Sequence, residues 1–200
     1  MKNHSVEFHR TKKLALIAAL SLVSLSVCAE DVIRYQEQAR LMATPFLKQL
    51  LSENQKAINA AGFESAIQVC RDIAPQLAGD LSRQSGWKLS RVSLKLRNPL
   101  LGMPDAWEQE KLRAFEIRAA QGETTDGIET AEIVQEPDGK YFRYMKAIVM
   151  QPGCLACHGN PEQMPESVKT KLNEAYPHDR ATGYSVGQIR GAVSIKRPIY

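Results

Sequence analysis

The residues best equipped for chemistry form one short run, Cys154-Leu155-Ala156-Cys157-His158. Two thiols three positions apart can reach the two vinyl groups of one porphyrin and form thioethers. The histidine beside them is then carried under the iron and can ligate it. This is the c-type haem attachment signature. It predicts one covalent haem c, with Cys154 and Cys157 bound to the porphyrin and His158 as an axial iron ligand. Two other chemistries use the same residue types. A zinc site would gather Cys154, Cys157, Cys70 and His158 or His178, but no second paired motif accompanies them. A dithiol redox site would place the cysteines early, in a strand–helix unit, and would leave the histidine unexplained.

The N-terminus supplies a compartment. Lys2, Arg10, Lys12 and Lys13 precede an apolar run, Leu14 to Val27, and Val27-Cys28-Ala29 offers small residues at a cleavage position. This reads as a secretory signal peptide over residues 1–29, hence a periplasmic protein. The run of 14 residues is shorter than the roughly 18 that a membrane span needs. A lipoprotein acylated at Cys28 is a poorer match, because Val27 stands where a small residue is wanted. The leader holds four of the 26 basic and one of the 22 acidic residues, so the overall +4 falls to about +1 without it. No charge argument for nucleic acid survives, and no further run is long enough to span a membrane.

Removing the leader leaves Cys70, Cys154 and Cys157, an odd count in an oxidising compartment. Of the four histidines only His158 and His178 remain. The leftover Cys70 falls on the apolar face of a helix. It is either a plain buried cysteine or a second iron ligand. Competing sixth ligands are His178, Met145, Met150 and Met164. Arg91, Arg97, Arg143 and Arg180 are candidate partners for haem propionates, against surface or structural charges. Trp107 could pack on a porphyrin or in the core. No nucleophile–base pair, phosphate loop or zinc-protease motif is present, so a binding module is expected rather than an enzyme.

The elements that must position these residues follow from periodicity. Asp31 to Ala61 reads as a long helix, with Leu41, Ala43, Phe46, Leu47, Leu50 and Leu51 apolar, a kink at Pro45 and an end at Gly62. Its amphipathic length would permit a homodimer. Phe63 to Leu81 is a second helix, bent at Pro75. Trp87 to Leu96 alternates like a strand, and Arg97 to Pro104 is a loop. Asp105 caps a helix to about Gln121, with Glu108 completing a capping box. Ile128–Gln135 and Lys140–Met150 form a hairpin around Pro137-Asp138-Gly139. Short helices follow the cysteines and span Ser167–Ala175, and Val186 to Pro198 is a last strand. The fold class is α+β, an antiparallel sheet with flanking helices after an N-terminal helical segment, residues 30–61.

From Ala61 to Ile199 the chain resembles the PAS-like c-type haem domain family, found as stand-alone periplasmic proteins and as sensor input domains. Four stretches carry the resemblance: Ala66-Ile67-Gln68-Val69-Cys70; Arg97-Asn98-Pro99 with Pro104-Asp105-Ala106-Trp107-Glu108; Cys154 to Gly159; and Gly183 to Ser194. The loop Asn98 to Pro104 departs from the family's Asn-Pro-x-Asn-x-Pro: it lacks the second Asn and is one residue longer. The resemblance implies a PAS-like haem domain over residues 62–200, with iron held by His158 and by the Cys70 thiolate. A thiolate favours ferric iron and lowers the potential. On reduction Cys70 would be released and a site opened for a small gas. The function expected is a redox- or gas-responsive module working with an unknown redox or signalling partner. The alternative is a low-potential electron-transfer cytochrome.

Overall fold

In a computed structural model of the chain the described residues are 7–124 and 127–200, with side chains from residue 30 onward. The expected leader, residues 1–29, therefore lies outside the residues whose side chains are described. Helix α1 runs Glu7–Ala61. Ala39, Ala43, Phe46 and Leu50 recur at three- and four-residue steps and are buried against the sheet. Leu41 and Leu51, expected on that apolar face, instead point outward at 76% and 57% exposure. Pro45 lies inside the helix without ending it, because it sits on the exposed side. Gly62, with φ 81°, turns the chain out of α1.

The second expected helix is longer and not uniform. It comprises α2 (Phe63–Gln68), a π-helical turn (Val69–Ile73) and α3 (Ala74–Ser85), closed by left-handed Gly86. Pro75 explains the π turn. It has no N–H to give, and its ring would collide with the carbonyl four residues back. The Ala74 N–H reaches five residues back to the Val69 carbonyl. The Cys70 carbonyl is thereby left without a helical donor.

Four strands, β1 (Lys88–Val92), β2 (Glu129–Glu136), β3 (Gly139–Val149) and β4 (Ile189–Ile199), form an antiparallel sheet in the order β1-β4-β3-β2. β1 is shorter than its alternation suggests, because the Ser93 N–H turns away to the Gly102 carbonyl and Ser93 Oγ donates to Arg190 C=O. β4 starts later than expected, after a turn in which the Ser185 N–H donates to Gln188 Oε1. α1 and α3 cover one sheet face, packing on Leu89, Phe142, Tyr144, Val193 and Ile195. α5 (Ala106–Ala120) covers the other, placing Leu112 and Phe115 against Met145 and Ala192. The fold is α+β, as expected, and consistent with a PAS-like arrangement. No helix among the described residues is long and apolar enough to cross a membrane.

The Asp105–Glu108 capping box forms as read from the sequence. It is tied to the sheet by Arg143, which is 2% exposed and pairs with Asp105, Glu108 and Glu136. Part of the expected loop before it is helical: α4 (Pro99–Gly102), with Asn98 accepting from the Leu100 N–H. Two short helices complete the chain, α6 (Leu155–His158) and α7 (Glu166–Ala175).

Candidate cofactor site

A cavity of about 510 Å³ opens between α1, the π turn with α3, the β1–β4–β3 wall and the cysteine segment. Its volume falls in the range of small-molecule and cofactor sites. Leu50, Asn54, Cys70, Arg91, Cys154 and His158 are among the residues that line it. Residues far apart in sequence thus converge, and Cys70 faces the same space as Cys154 and His158. Cys157 packs beside the cavity among Ile67, Met164, Val168, Leu172 and Tyr176.

The histidine is held by a strap from the loop after α7. His158 Nδ1 lies 2.7 Å from the Ala181 carbonyl, so Nδ1 carries the proton and Nε2 keeps its lone pair. The Tyr184 N–H donates to His158 C=O at 3.0 Å, and the Gly183 N–H to Gly159 C=O at 2.8 Å. Burial, followed by the nearby Arg97 and Arg190 guanidiniums, holds the His158 pKa well below its ordinary value. A neutral imidazole with a free Nε2 is the form that binds a metal.

Arg97 fastens strap and motif together. It is 8% exposed and pairs with Asp179 through Nε at 3.0 Å and Nη2 at 2.9 Å. Nη2 also donates to the Cys157 and Ala181 carbonyls, and Nη1 lies 3.4 Å from His158 Nε2. Asp179 Oδ1 accepts from the Ala181 N–H, fixing the carbonyl that orients His158.

Cys70 sits inside the π turn. Its Sγ lies 3.6 Å from Asn54 Oδ1, a weak thiol hydrogen bond to α1. Its orphaned carbonyl accepts from Arg91 Nη2 at 3.4 Å. Single π turns inside helices are common at functional sites.

The competing chemistries fare poorly. No group of three or more His, Cys, Asp or Glu among the described residues is arranged to hold a metal ion, as a structural zinc site requires. Burial pushes the Cys157 thiol up to about 11. Of the rival iron ligands only Met150 lines the cavity. His178 is exposed, Met145 is buried among the α5-face residues, and Met164 packs with α7.

The arginines separate by position. Arg91 and Arg97 line the cavity. Arg143 is bound to carboxylates at the α5 face and Arg180 is exposed. Trp107 also stays away, its Nε1–H donating to Glu132 and its ring lying 4.5 Å from the Arg143 guanidinium carbon. Sequence reasoning missed Asn54, Asp179 and Arg190. The signal for Asp179 was a lone acid beside His178. For the other two there was none at a distance short enough to read.

A family model matches residues 24–198, which include every cysteine and histidine of the site. The chain belongs to the Tll0287-like family. It is also similar to a solved structure, the crystal structure of the cyanobacterial haem protein Tll0287, at 23% identity and a TM-score of 0.60. That match covers 82% of this chain and 96% of the other, and speaks for the shared fold. No curated protein sequence matches the chain.

Proposed function

We propose that the chain is an exported haem-binding module carrying one haem c. Cys154 and Cys157 would hold the haem covalently, and His158 and Cys70 would ligate its iron. The observation that carries this reading is convergence: Cys70 and Cys154 line one cavity with His158, whose Nε2 is kept as an acceptor. The walls fit the group. Leu47, Leu50, Ala74 and Leu89 give an apolar slot, and no carboxylate among the described residues lines it. Membership of a family that includes a haem protein supports the same cofactor, and the leader motif supports the periplasm.

A haem bound there supplies a one-electron iron centre whose ferric state a thiolate partner favours. Cys70 would supply that thiolate. Released from a reduced haem, Cys70 would carry its proton on Sγ, hydrogen-bonded to the Asn54 carboxamide oxygen, and would leave its place to a small gas. The π turn favours this responsive role over that of an electron carrier, because its surplus residue lets Cys70 move without unwinding α2 or α3. The module is a receptor for electrons or gas, not an enzyme, and reports to a redox or signalling protein.

The test is a set of spectra of wild type and Cys70→Ala, oxidised and reduced, with and without carbon monoxide. The expected result is a low-spin ferric spectrum that Cys70→Ala alters and a reduced wild type that binds carbon monoxide. An unchanged ferric spectrum in the variant removes Cys70 as ligand. A reduced wild type indifferent to carbon monoxide favours the electron carrier, and absence of a pyridine haemochrome removes the haem.

A further inference from the structure

The charges around the cavity do not balance. Arg91, Arg97 and Arg190 line it, and no Asp or Glu among the described residues does. Arg97 is compensated from behind by Asp179. Arg91 and Arg190 have no carboxylate within ion-pair distance among the described residues. Arg91 donates only to the Cys70 carbonyl, and Arg190 through Nη1 to Ser93 Oγ at 2.7 Å and Lys95 C=O at 3.2 Å. Both are half-buried, and a guanidinium fork without a carboxylate partner is the side chain best shaped to receive one.

The backbone aims Arg190 there deliberately. Ile148 pairs with Gly191 and Val149 with Ile189, so Arg190 is the extra residue of a β-bulge in β4. Ile189 and Ala192 consequently share the α5 face although they are three residues apart. Arg190 is turned to the opposite face, where the cavity lies. Bulges re-aim side chains in this way beside functional sites. Gly191 permits the close strand approach that accompanies the bulge, since a Cβ there would run into the Val92 carbonyl. Arg91 stands on the neighbouring strand, opposite Val193, so both guanidiniums belong to one wall.

We infer that Arg91 and Arg190 form a paired carboxylate subsite that receives the two propionates of the haem. The inference rests on the haem reading above. The two propionates leave neighbouring pyrroles of the macrocycle, and two arginines on adjacent strands suit such a pair. Burial also holds the Arg190 guanidinium below its ordinary pKa, an imbalance that a bound carboxylate relieves.

The test uses the full chain with Cys154→Ala and Cys157→Ala, so that porphyrin binding is reversible. Ferric protoporphyrin IX and its dimethyl ester are titrated into this chain and into versions adding Arg91→Gln or Arg190→Gln. A hydrogen bond to a charged group contributes about 1.5–3 kcal/mol, so each arginine removed should weaken the diacid roughly ten- to a hundredfold and leave the ester nearly unchanged. Equal affinity for diacid and ester in the parent, or equal weakening of both in the variants, overturns the subsite and leaves the haem reading intact. Binding of neither porphyrin overturns both. The same arginine variants are also made in the covalently loaded chain, which keeps its cysteines and its fold. There, infrared spectra at mildly acidic pH should show protonated propionate in each variant and only carboxylate in wild type. Identical spectra in all three overturn the subsite.

Discussion

Asp179→Asn should be among the most damaging single substitutions near the site, although Asp179 touches no reacting group. The carboxylate is 9% exposed and pairs with Arg97, which is 8% exposed. Removing one partner of a buried pair costs about 3–5 kcal/mol, largely because the other charge is left uncompensated. Here the sign of the surroundings makes the two halves unequal. Asp179→Asn leaves Arg97 beside Arg190 and Arg91 with no acidic side chain among the described cavity residues to offset them. Arg97→Met leaves a lone carboxylate that still feels those two cations. Asp179→Asn should therefore sit at the upper end of the range and Arg97→Met at the lower. The double variant should be more stable than Asp179→Asn alone. Urea unfolding followed by circular dichroism reads all three, and the double-mutant cycle gives the coupling. If Asp179→Asn lies within about 1 kcal/mol of wild type, or if the single effects simply add, the cation-rich picture of the site is wrong.

Two further outcomes follow from the same geometry. Gly191→Ala would drive a Cβ into the Val92 carbonyl and against Ser93 Cβ, so it should destabilise the β1–β4 pairing by about 1–3 kcal/mol, read as a lowered Tm. A Tm equal to wild type would mean that the bulge relaxes freely. Acid should loosen α1 from the sheet through Glu129. Burial raises its pKa, but Arg40, Tyr144 and Gln36 all donate to it and hold it below the ordinary value. A depressed carboxylate contributes stability that is complete above its unfolded pKa of about 4.3 and is lost as pH falls through the folded value. Thermal melts should therefore be flat above about pH 5 and fall below about pH 4, less steeply in Glu129→Gln.

Local signals in the chain were legible and long-range ones were not. The Asp105–Glu108 box is set by spacing within a few residues and forms as read; the Cys154–His158 run is equally local, and Cys154 and His158 come to line one cavity. Cys70 was reachable by counting cysteines and by its helical phase. The phase of α1 misled at Leu41, which lies two residues past Ala39 and so about 200° around the helix. Leucine type suggested burial there, but geometry decided. Pro75 signalled a bend, yet the form it took, a π turn that frees the Cys70 carbonyl, depends on which residue yields its hydrogen bond. Arg190 was invisible for a sharper reason. Strict alternation along β4 places it on the α5 face, and only the pairing with β3 reveals the extra residue that reverses it. Trp107 looked like a porphyrin contact by type, but α5 lies on the other side of the sheet.

Arg91 links the two halves of the proposed site. Its guanidinium donates to the Cys70 carbonyl and faces the cavity, so the position of Cys70 and the anion subsite share one side chain. A ligand can shift an equilibrium only through contacts that differ between the two states. Under the proposed function, release of Cys70 on reduction would supply such a difference. It would change the contact of the Cys70 carbonyl with Arg91, while the protonated thiol keeps its hydrogen bond to Asn54, which belongs to α1. α1 in turn is fixed to the sheet by Gln36 and Arg40 on Glu129, far from the cavity. Cys70 therefore touches a long helix that is packed on the sheet through Ala39, Ala43, Phe46 and Leu50 and hydrogen-bonded to it at Glu129. Under the proposed function, Asn54 on α1 is the contact through which a shift at Cys70 would leave the site.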